Sequence, residues 1–318
     1  MLARTRMKPV ALVVSFAVLA LLIALAWWLW TPDRERAALH AQYLNQPGDI
    51  VTVAGTRLHL RDSHPPAGRT QAPTLLLLHG FGGSLHTWEP WVLQLARDYR
   101  VIRIDLPGSG LSEPDPQGNY ADAHTLALLV NLLDQLGIAR ASVIGHSIGG
   151  RIAWRFAAAH PARVDRLVLL APDGFASPGF EYGVAPEVPT SFKLMRFALP
   201  RALLRMSLLP AYADPAVLTD EMTTRYHALM LAPGSRQALL ARMAQTVLID
   251  PRPLLRTIQA KTLLVWGEQD AMIPIANAAE YLAALPQAQL VRLDGVGHLP
   301  QEEQPTRGLA AVQEFLKN

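Results

Sequence analysis

The 318-residue chain is half hydrophobic, carries a formal net charge of +3 and contains no cysteine. Its length holds one large α/β domain with an insertion, or two ordinary domains. No basic run is long enough to follow a phosphate backbone, which argues against nucleic acid as a partner. The missing cysteine excludes disulfides, thiolate metal sites and a cysteine nucleophile.

The first expected element is a membrane helix. Val10 to Trp30 runs without a charge, with Ser15 its only clearly polar residue. As a helix it spans roughly 30 Å, the thickness of a bilayer's hydrocarbon core. Arg4, Arg6 and Lys8 precede it, and Trp27, Trp28 and Trp30 gather at its far end, where an aromatic belt would sit. The basic flank predicts residues 1–9 in the cytoplasm, a single-pass anchor over 10–30 in the inner membrane, and the remainder on the periplasmic side. Ala24-Leu25-Ala26 resembles a signal-peptide cleavage site. Cleavage there would leave an awkward Trp-Trp-Leu-Trp start, and the apolar run exceeds a usual signal core, so the uncleaved anchor is the preferred reading. The small-residue pairs Ala20/Ala24 and Ala11/Ser15 are compatible with a homodimer through this helix.

Residues 31–48 read as a juxtamembrane linker, with Asp33 to Leu44 helical and stalk-like until Gln46-Pro47-Gly48 ends it. Asp49–Ala54 and Thr56–Arg61 alternate around Gly55 as a β-hairpin. After the loop His64–Pro73 come solid apolar runs at Thr74–Leu78, Val101–Ile104, Ser142–Ile144, Leu167–Leu170 and Thr262–Val265, separated by helical segments. That alternation is the pattern of a doubly wound parallel sheet covered on both faces. About ninety proline-punctuated residues between the last two runs read as a helical cap, since a structureless loop of that length is implausible in a compact domain. The expected division is core over 49–173, cap over 174–256 and core again over 257–318.

Gly145-His146-Ser147-Ile148-Gly149 satisfies G-x-S-x-G between an apolar strand and a proline-free helix. Such a turn thrusts a serine hydroxyl above the sheet at a helix N-terminus. Serine needs a base to take its proton. His298 follows the strand Gln289–Leu293, on the same sheet edge as Ser147. A carboxylate must fix the histidine tautomer, and Asp270 follows the strand Thr262–Val265. Asp173 and Glu268 are its rivals. The order Ser147, Asp270, His298 suits an α/β-type serine hydrolase. Backbone amides of Ile148 and of Phe81, in the loop His79–Gly83, are the candidate oxyanion donors. His146 is expected to point away from the nucleophile. No metal and no organic cofactor is required.

Five segments carry a family resemblance: LLLLHGFGGS (75–84), DLPGSGLS (105–112), GHSIGG (145–150), VWGEQDAMIP (265–274) and GVGHLPQEEQP (295–305). Residues 74–317 resemble the α/β-hydrolase superfamily throughout. The resemblance implies an α/β-hydrolase fold, here a mostly parallel sheet with an N-terminal antiparallel hairpin, a helical cap and an N-terminal transmembrane helix. Asp105–Ser112 recurs in the family as a structural turn. Ser147 separates the chain from haloalkane dehalogenases and epoxide hydrolases, which carry aspartate there. His146 departs from the asparagine common in carbon–carbon bond hydrolases of aromatic ring cleavage. Anchor, hairpin and cap together are similar to bacterial membrane-anchored esterases, including a phospholipase A type, which implies an ester or lipid substrate.

In the cap, apolar residues from Phe192 to Leu209 are interleaved with Lys193, Arg196, Arg201 and Arg205. Read as one helix, this is basic and amphipathic, a form suited to anionic lipid surfaces. Phe192 and Met195, with His146, are the candidate substrate contacts. Two other classes stay open: a carbon–carbon bond hydrolase of dienone acids, and a non-catalytic binding protein on the same fold.

Overall fold

The computed structural model describes residues 9–64, 72–176 and 181–317. Arg4, Arg6 and Lys8 and most of the 64–73 loop lie outside the described residues. The first helix, α1 (Pro9–Leu29), is apolar on every side, and its described side chains from Leu12 to Trp28 are all exposed. A helix with no polar face and no protein cover is built for a surrounding other than water.

The chain leaves the helical path at Trp30–Glu35 and re-enters it in α2 (Arg36–Tyr43). This segment is not a free stalk. Leu39 is fully buried with Leu111, Ala228 and Leu229, so α2 is packed onto the globular body. One inward leucine on an otherwise polar helix is a weak sequence signal.

β1 (Ile50–Val53) and β2 (Thr56–Ser63) pair antiparallel through Ala54-Gly55, both at positive φ, as a tight two-residue hairpin requires. There follow β3 (Thr74–Leu78), α3 (Glu89–Leu95), β4 (Arg100–Ile104), α4 (Asp122–Gln135), β5 (Ala141–His146), α5 (Ile148–Ala159) and β6 (Val164–Leu170). Five cap helices come next: α6 (Thr190–Leu194), α7 (Arg201–Leu208), α8 (Asp220–Met230), α9 (Ser235–Gln245) and α10 (Arg252–Leu255). β7 (Lys261–Gly267), α11 (Asn277–Ala284), β8 (Ala288–Leu293), α12 (Pro300–Glu303) and α13 (Pro305–Lys317) complete the fold.

The strands form one eight-stranded sheet in the order β1-β2-β4-β3-β5-β6-β7-β8. β1 and β2, and β2 and β4, run antiparallel; every other pair is parallel. α4, α5 and α11 cover one face, and α3 and α13 cover the other. Leu75 to Leu78 are therefore all buried, which is why the run is solidly apolar instead of alternating. This is the α/β-hydrolase fold with its parallel strands ending on one edge.

The stretch Phe192–Leu209 is not one helix. α6 ends at Leu194, and α7 starts only after Pro200, which disfavours helical backbone in the residue before it. Leu199 and Leu204 turn inward, whereas Phe192, Leu194, Phe197, Leu203 and Met206 stay exposed.

The turn Asp105–Ser112 is organised by a buried carboxylate. Asp105 Oδ1 accepts the Leu85 amide at 2.6 Å, and Oδ2 accepts the Leu111 amide at 2.8 Å and His59 Nδ1 at 2.7 Å. Burial alone would raise this carboxyl's pKa. The attraction and hydrogen bond of His59, with His79 and His86 nearby, overturn that and hold it below the usual carboxylate range. His86 is driven the other way, down to about 3, first by burial and then by neighbouring positive charge including Arg61.

The sign of the resulting pH dependence follows. Below pH 6.5 an unfolded chain protonates His86, while the folded one refuses the proton until about pH 3. The folded state therefore loses stability as pH falls through that window, by at most about 1.4 kcal/mol per pH unit for one histidine. Asp105, with its lowered pKa, adds a further loss below the unfolded carboxylate value. Melting temperatures measured from pH 7 to 4 are expected to fall steadily, and His86→Gln is expected to flatten the slope. An unchanged slope in that variant would rule His86 out as a contributor.

Candidate active site

The end of β5 carries a strained residue of the sheet edge, as does Ala171 after β6. Ser147 sits at φ 54° and ψ −120°, and α5 begins at the next residue. Only a tightly determined surrounding keeps a non-glycine residue there, at a cost of about 1–3 kcal/mol. Its amide donates to the Leu170 carbonyl at 3.0 Å, while its own carbonyl accepts the amides of Arg151 and Asp173 at 3.0 and 3.1 Å.

The flanking glycines are steric requirements. A side-chain carbon on Gly145 would overlap the Gly149 carbonyl, and one on Gly149 would overlap the carbonyls of Leu78 and His79. Their absence lets the start of α5 lie against the end of β3. Ile148, first in the helix, and Phe81, three residues past β3, are thereby brought to one cavity wall. His79 pins this loop: its Nδ1 donates to the Gly80 carbonyl at 2.7 Å, and its Nε2 accepts the Leu106 amide at 3.0 Å. That role needs a neutral ring, and burial lowers the His79 pKa accordingly.

His298 follows β8 in the loop after Leu293. Its Nδ1 donates to Asp270 Oδ2 at 2.8 Å, and Asp270 Oδ1 accepts the amides of Met272 and Ile273 at 2.8 and 2.9 Å. The carboxylate is thus fixed at both oxygens. The rivals are engaged elsewhere: Asp173 pairs with Arg151, and Glu268 with Arg292 at 2.8 Å. Ser147, His298, His146 and Phe81 share a cavity of about 90 Å³, roofed by the cap residues Leu208 and Ala211.

His146 does not point away. Its ring packs on that of His298, with centroids 4.6 Å apart, and its Nε2 donates to the His298 carbonyl at 2.8 Å. Gly80 makes the space, since a side-chain carbon there would stand 2.6 Å from His146 Nδ1. Burial, then the neighbouring His298, lowers the His146 pKa well below the usual value, so the ring is a neutral prop for the His298 loop.

Phe81 and Ile148 also line a second, larger cavity of about 410 Å³, whose wall includes Phe192, Phe175, Val184 and Met243. Met195 is not part of it. That side chain packs with Leu199, Leu204 and Tyr226 in the cap's own core, because α6 ends at Leu194 and Met195 caps it instead of continuing the face of Phe192.

Residues 73–305 match the alpha/beta hydrolase fold family. The chain belongs to this family. A relative in Cupriavidus pinatubonensis, 31% identical over 82% of this chain and 91% of its own, is named 2-hydroxy-6-oxononadienedioate/2-hydroxy-6-oxononatrienedioate hydrolase. Another, in Burkholderia cepacia, is 29% identical over 84% and 93% and is named 2-hydroxy-6-oxo-6-phenylhexa-2,4-dienoate hydrolase. Among solved structures, a membrane phospholipase A aligns over 98% of both chains with a TM-score of 0.69 at 23% identity, a likeness of fold. This α/β-hydrolase chain is therefore a hydrolase, with an N-terminal apolar helix that matches an anchor or a signal sequence.

Two groups of functional neighbours carried little sequence signal. Glu303, five residues after His298, accepts the amides of Gly297 at 2.6 Å and Asp214 at 2.8 Å, tying the histidine loop to the cap. Arg151 and Arg242 line the larger cavity. The paired glutamates after Gly297-His298 were the available hint for the first; nothing in local spacing marks the second.

Asp270→Asn tests the triad geometry. The amide keeps the shape but offers Nδ1 of His298 a donor, so the histidine adopts the wrong tautomer. Hydrolysis is expected to fall by about 10³–10⁴-fold in kcat with KM little changed. Asp173→Asn is expected to leave kcat within about tenfold, and the reverse ranking in steady-state kinetics would transfer the role to Asp173.

Proposed function

We propose that this hydrolase is a membrane-anchored carboxylic-ester hydrolase acting on lipids, of the lipase, lysophospholipase or phospholipase A kind. The observation that carries this reading is the docking of the anchor's end on the cap that walls the apolar cavity. Trp30 stacks on Phe197 with centroids 5.9 Å apart, the Thr31 amide donates to the Phe197 carbonyl at 2.9 Å, and Asp33 pairs with Arg236 at 2.6 Å. An anchored helix held there raises the effective concentration of bilayer substrate beside the cavity. The same contacts, engaging the residues directly after α1, support an uncleaved anchor over a signal peptide. The basic residues before α1 support an N-terminus in the cytoplasm and a catalytic body outside the inner membrane. The alignment over 98% of a membrane phospholipase A leaves too few residues over to omit α1, which supports the same architecture.

In this mechanism Ser147 Oγ attacks the ester carbonyl as His298 Nε2 takes its proton. Asp270 holds the imidazolium, and the amides of Phe81 and Ile148 receive the negative oxygen. The proton passes to the leaving alcohol. Water, deprotonated by His298, then attacks the acyl-serine and releases the acid. No group beyond these side chains and amides enters the scheme.

A second reading, a carbon–carbon bond hydrolase of dienone acids, is favoured by the names of the two relatives at 29% and 31% identity. A panel of p-nitrophenyl esters, lysophospholipids, diacyl phospholipids and dienone acids separates the two. Turnover of the acyl lipids, abolished with fluorophosphonate labelling in Ser147→Ala, is the expected result. Turnover confined to the dienone acids would establish the second reading, and a Ser147→Ala variant of full activity would dismiss both. Deleting residues 1–30 is expected to free the protein from washed membranes; retention there would show that α1 is not the main attachment.

A further inference from the structure

The larger cavity has a buried guanidinium in its wall that no carboxylate pairs among the described residues. It belongs to Arg242, on α9, which is about 3% exposed. Its Nη2 donates to the Pro107 carbonyl at 3.1 Å, and its guanidinium lies 5.3 Å from the Tyr120 ring centre. Its Nη1 is closed off from water and has no hydrogen-bond partner among the described residues. A buried donor on a charged group, left unmatched, is costly, so the position calls for an explanation.

The nearby carboxylates are already used. Asp122 of α4 takes Arg151 at 3.1 Å and Arg155 at 3.3 Å, and Asp173 takes Arg151 again. Three guanidinium groups thus face two carboxylates, and Arg242 is the one left over. Glu181 and Glu187 also line the cavity, but both are exposed to solvent at its rim, where water screens them. Burial, and then repulsion from Arg151, lowers the Arg242 pKa to about 10, which leaves it a cation at neutral pH.

We propose that Arg242 is the anion-binding residue of this cavity, there to receive a singly charged oxyanion carried by the substrate or product. Two sources present that chemistry: the phosphodiester of a lipid headgroup and the carboxylate of a released acid. Either offers paired oxygens to the planar fork of a guanidinium, a match that a lysine ammonium makes less well. Arg242 already forms part of the wall. A change in its outer torsions brings Nη1 to the ligand while α9 stays in place. Phe175, Val184, Phe192 and Met243, also in the wall, lower the local polarity and strengthen the attraction. The cavity shares Phe81 and Ile148 with the proposed oxyanion donors, so an anion held at Arg242 would orient an ester whose carbonyl sits at those amides. The assignment of substrate rests on the ester-hydrolase reading; the anion site itself does not.

The test is direct binding to the full-length protein in detergent, by calorimetry, with three inert eight-carbon probes: octyl methyl phosphate, octanoate and octanol. The wild type is expected to bind at least one anion about tenfold or more tightly than octanol, the usual scale for a charge-assisted hydrogen bond. A preference for the phosphodiester assigns the site to a headgroup, and a preference for octanoate assigns it to the released acid. In Arg242→Gln the ratio of anion to alcohol affinity is expected to collapse to about one, and Arg242→Lys is expected to retain part of it. Thermal unfolding of each variant controls for folding, and the wild-type comparison stands even where Arg242→Gln is unstable. Equal binding of all three probes by the wild type, or a full preference surviving in folded Arg242→Gln, overturns the proposal. Because no probe is hydrolysed, a failure here is distinct from a failure of the ester reading in the substrate panel.

Discussion

The arrangement at the carboxyl edge of the sheet depends on one backbone conformation, the positive-φ turn at Ser147. That turn reverses the chain from β5 into α5 so tightly that the helix start touches the end of β3. It is possible only because Gly145, Gly149 and Gly150 leave out three side-chain carbons, each of which would collide with backbone or with Pro172. The strain is balanced by hydrogen bonds on both sides of the residue, to Leu170 and from Arg151 and Asp173. Two consequences follow from this single geometry. The hydroxyl stands clear of the sheet at the positive end of a helix, and the Phe81 loop is drawn alongside Ile148.

A second constraint joins the His298 loop to the cap. The His298 amide donates to the Ala211 carbonyl at 2.7 Å, and Glu303 clasps Gly297 and Asp214 together. Glu302 accepts the hydroxyls of Tyr212 and Tyr226 at 2.6 and 2.9 Å. Burial, together with the glutamate, pushes both tyrosine pKa values up, so these phenols remain donors at any working pH. On its other side the cap receives Trp30, Thr31 and Asp33 from the end of α1. Contacts therefore run without a break from the apolar helix through the cap to the loop of the histidine. The cap is part of the construction of the candidate site's edge as well as its cover.

Much of this was legible in the sequence because it is governed by local rules. Apolar runs buried on both faces gave the parallel strands, and alternation around Gly55 marked the hairpin, whose turn also takes in Ala54. The elbow glycines and the short steps from β7 to Asp270 and from β8 to His298 fixed where those side chains meet. What the sequence did not convey depends on long-range packing. The polar segment Asp33–Leu44 looked like a stalk because among its described residues Leu39 alone is fully buried, and its partners lie at residues 111 and 228–232. Met195 looked like a partner of Phe192, but α6 ends at Leu194 and Met195 turns into the cap's own core. His146 was expected to face away, since the gap that admits its ring is made by Gly80, sixty-six residues earlier. Arg242 gave no local sign at all: its lack of a partner is a property of what four other elements supply.

The family match places the chain among hydrolases, and the proposed Ser, His and Asp constellation does little to choose a substrate, since one fold carries many chemistries. Selection falls to the cap cavity. Its apolar lining discriminates weakly, because one methylene in a hydrophobic pocket is worth only about 1–3 kcal/mol. A buried polar group discriminates far more sharply, since a ligand that fails to meet it leaves the group unmatched in a dry site. Phe192 or Val184 can therefore be exchanged for another apolar residue with modest effect, while the unmatched charge at Arg242 sets which ligands the cavity accepts. The proposed anchor would act on a different quantity, the local concentration of whatever the membrane contains. On the proposed reading, position would supply the lipid, and the buried guanidinium of Arg242 would then choose among lipids.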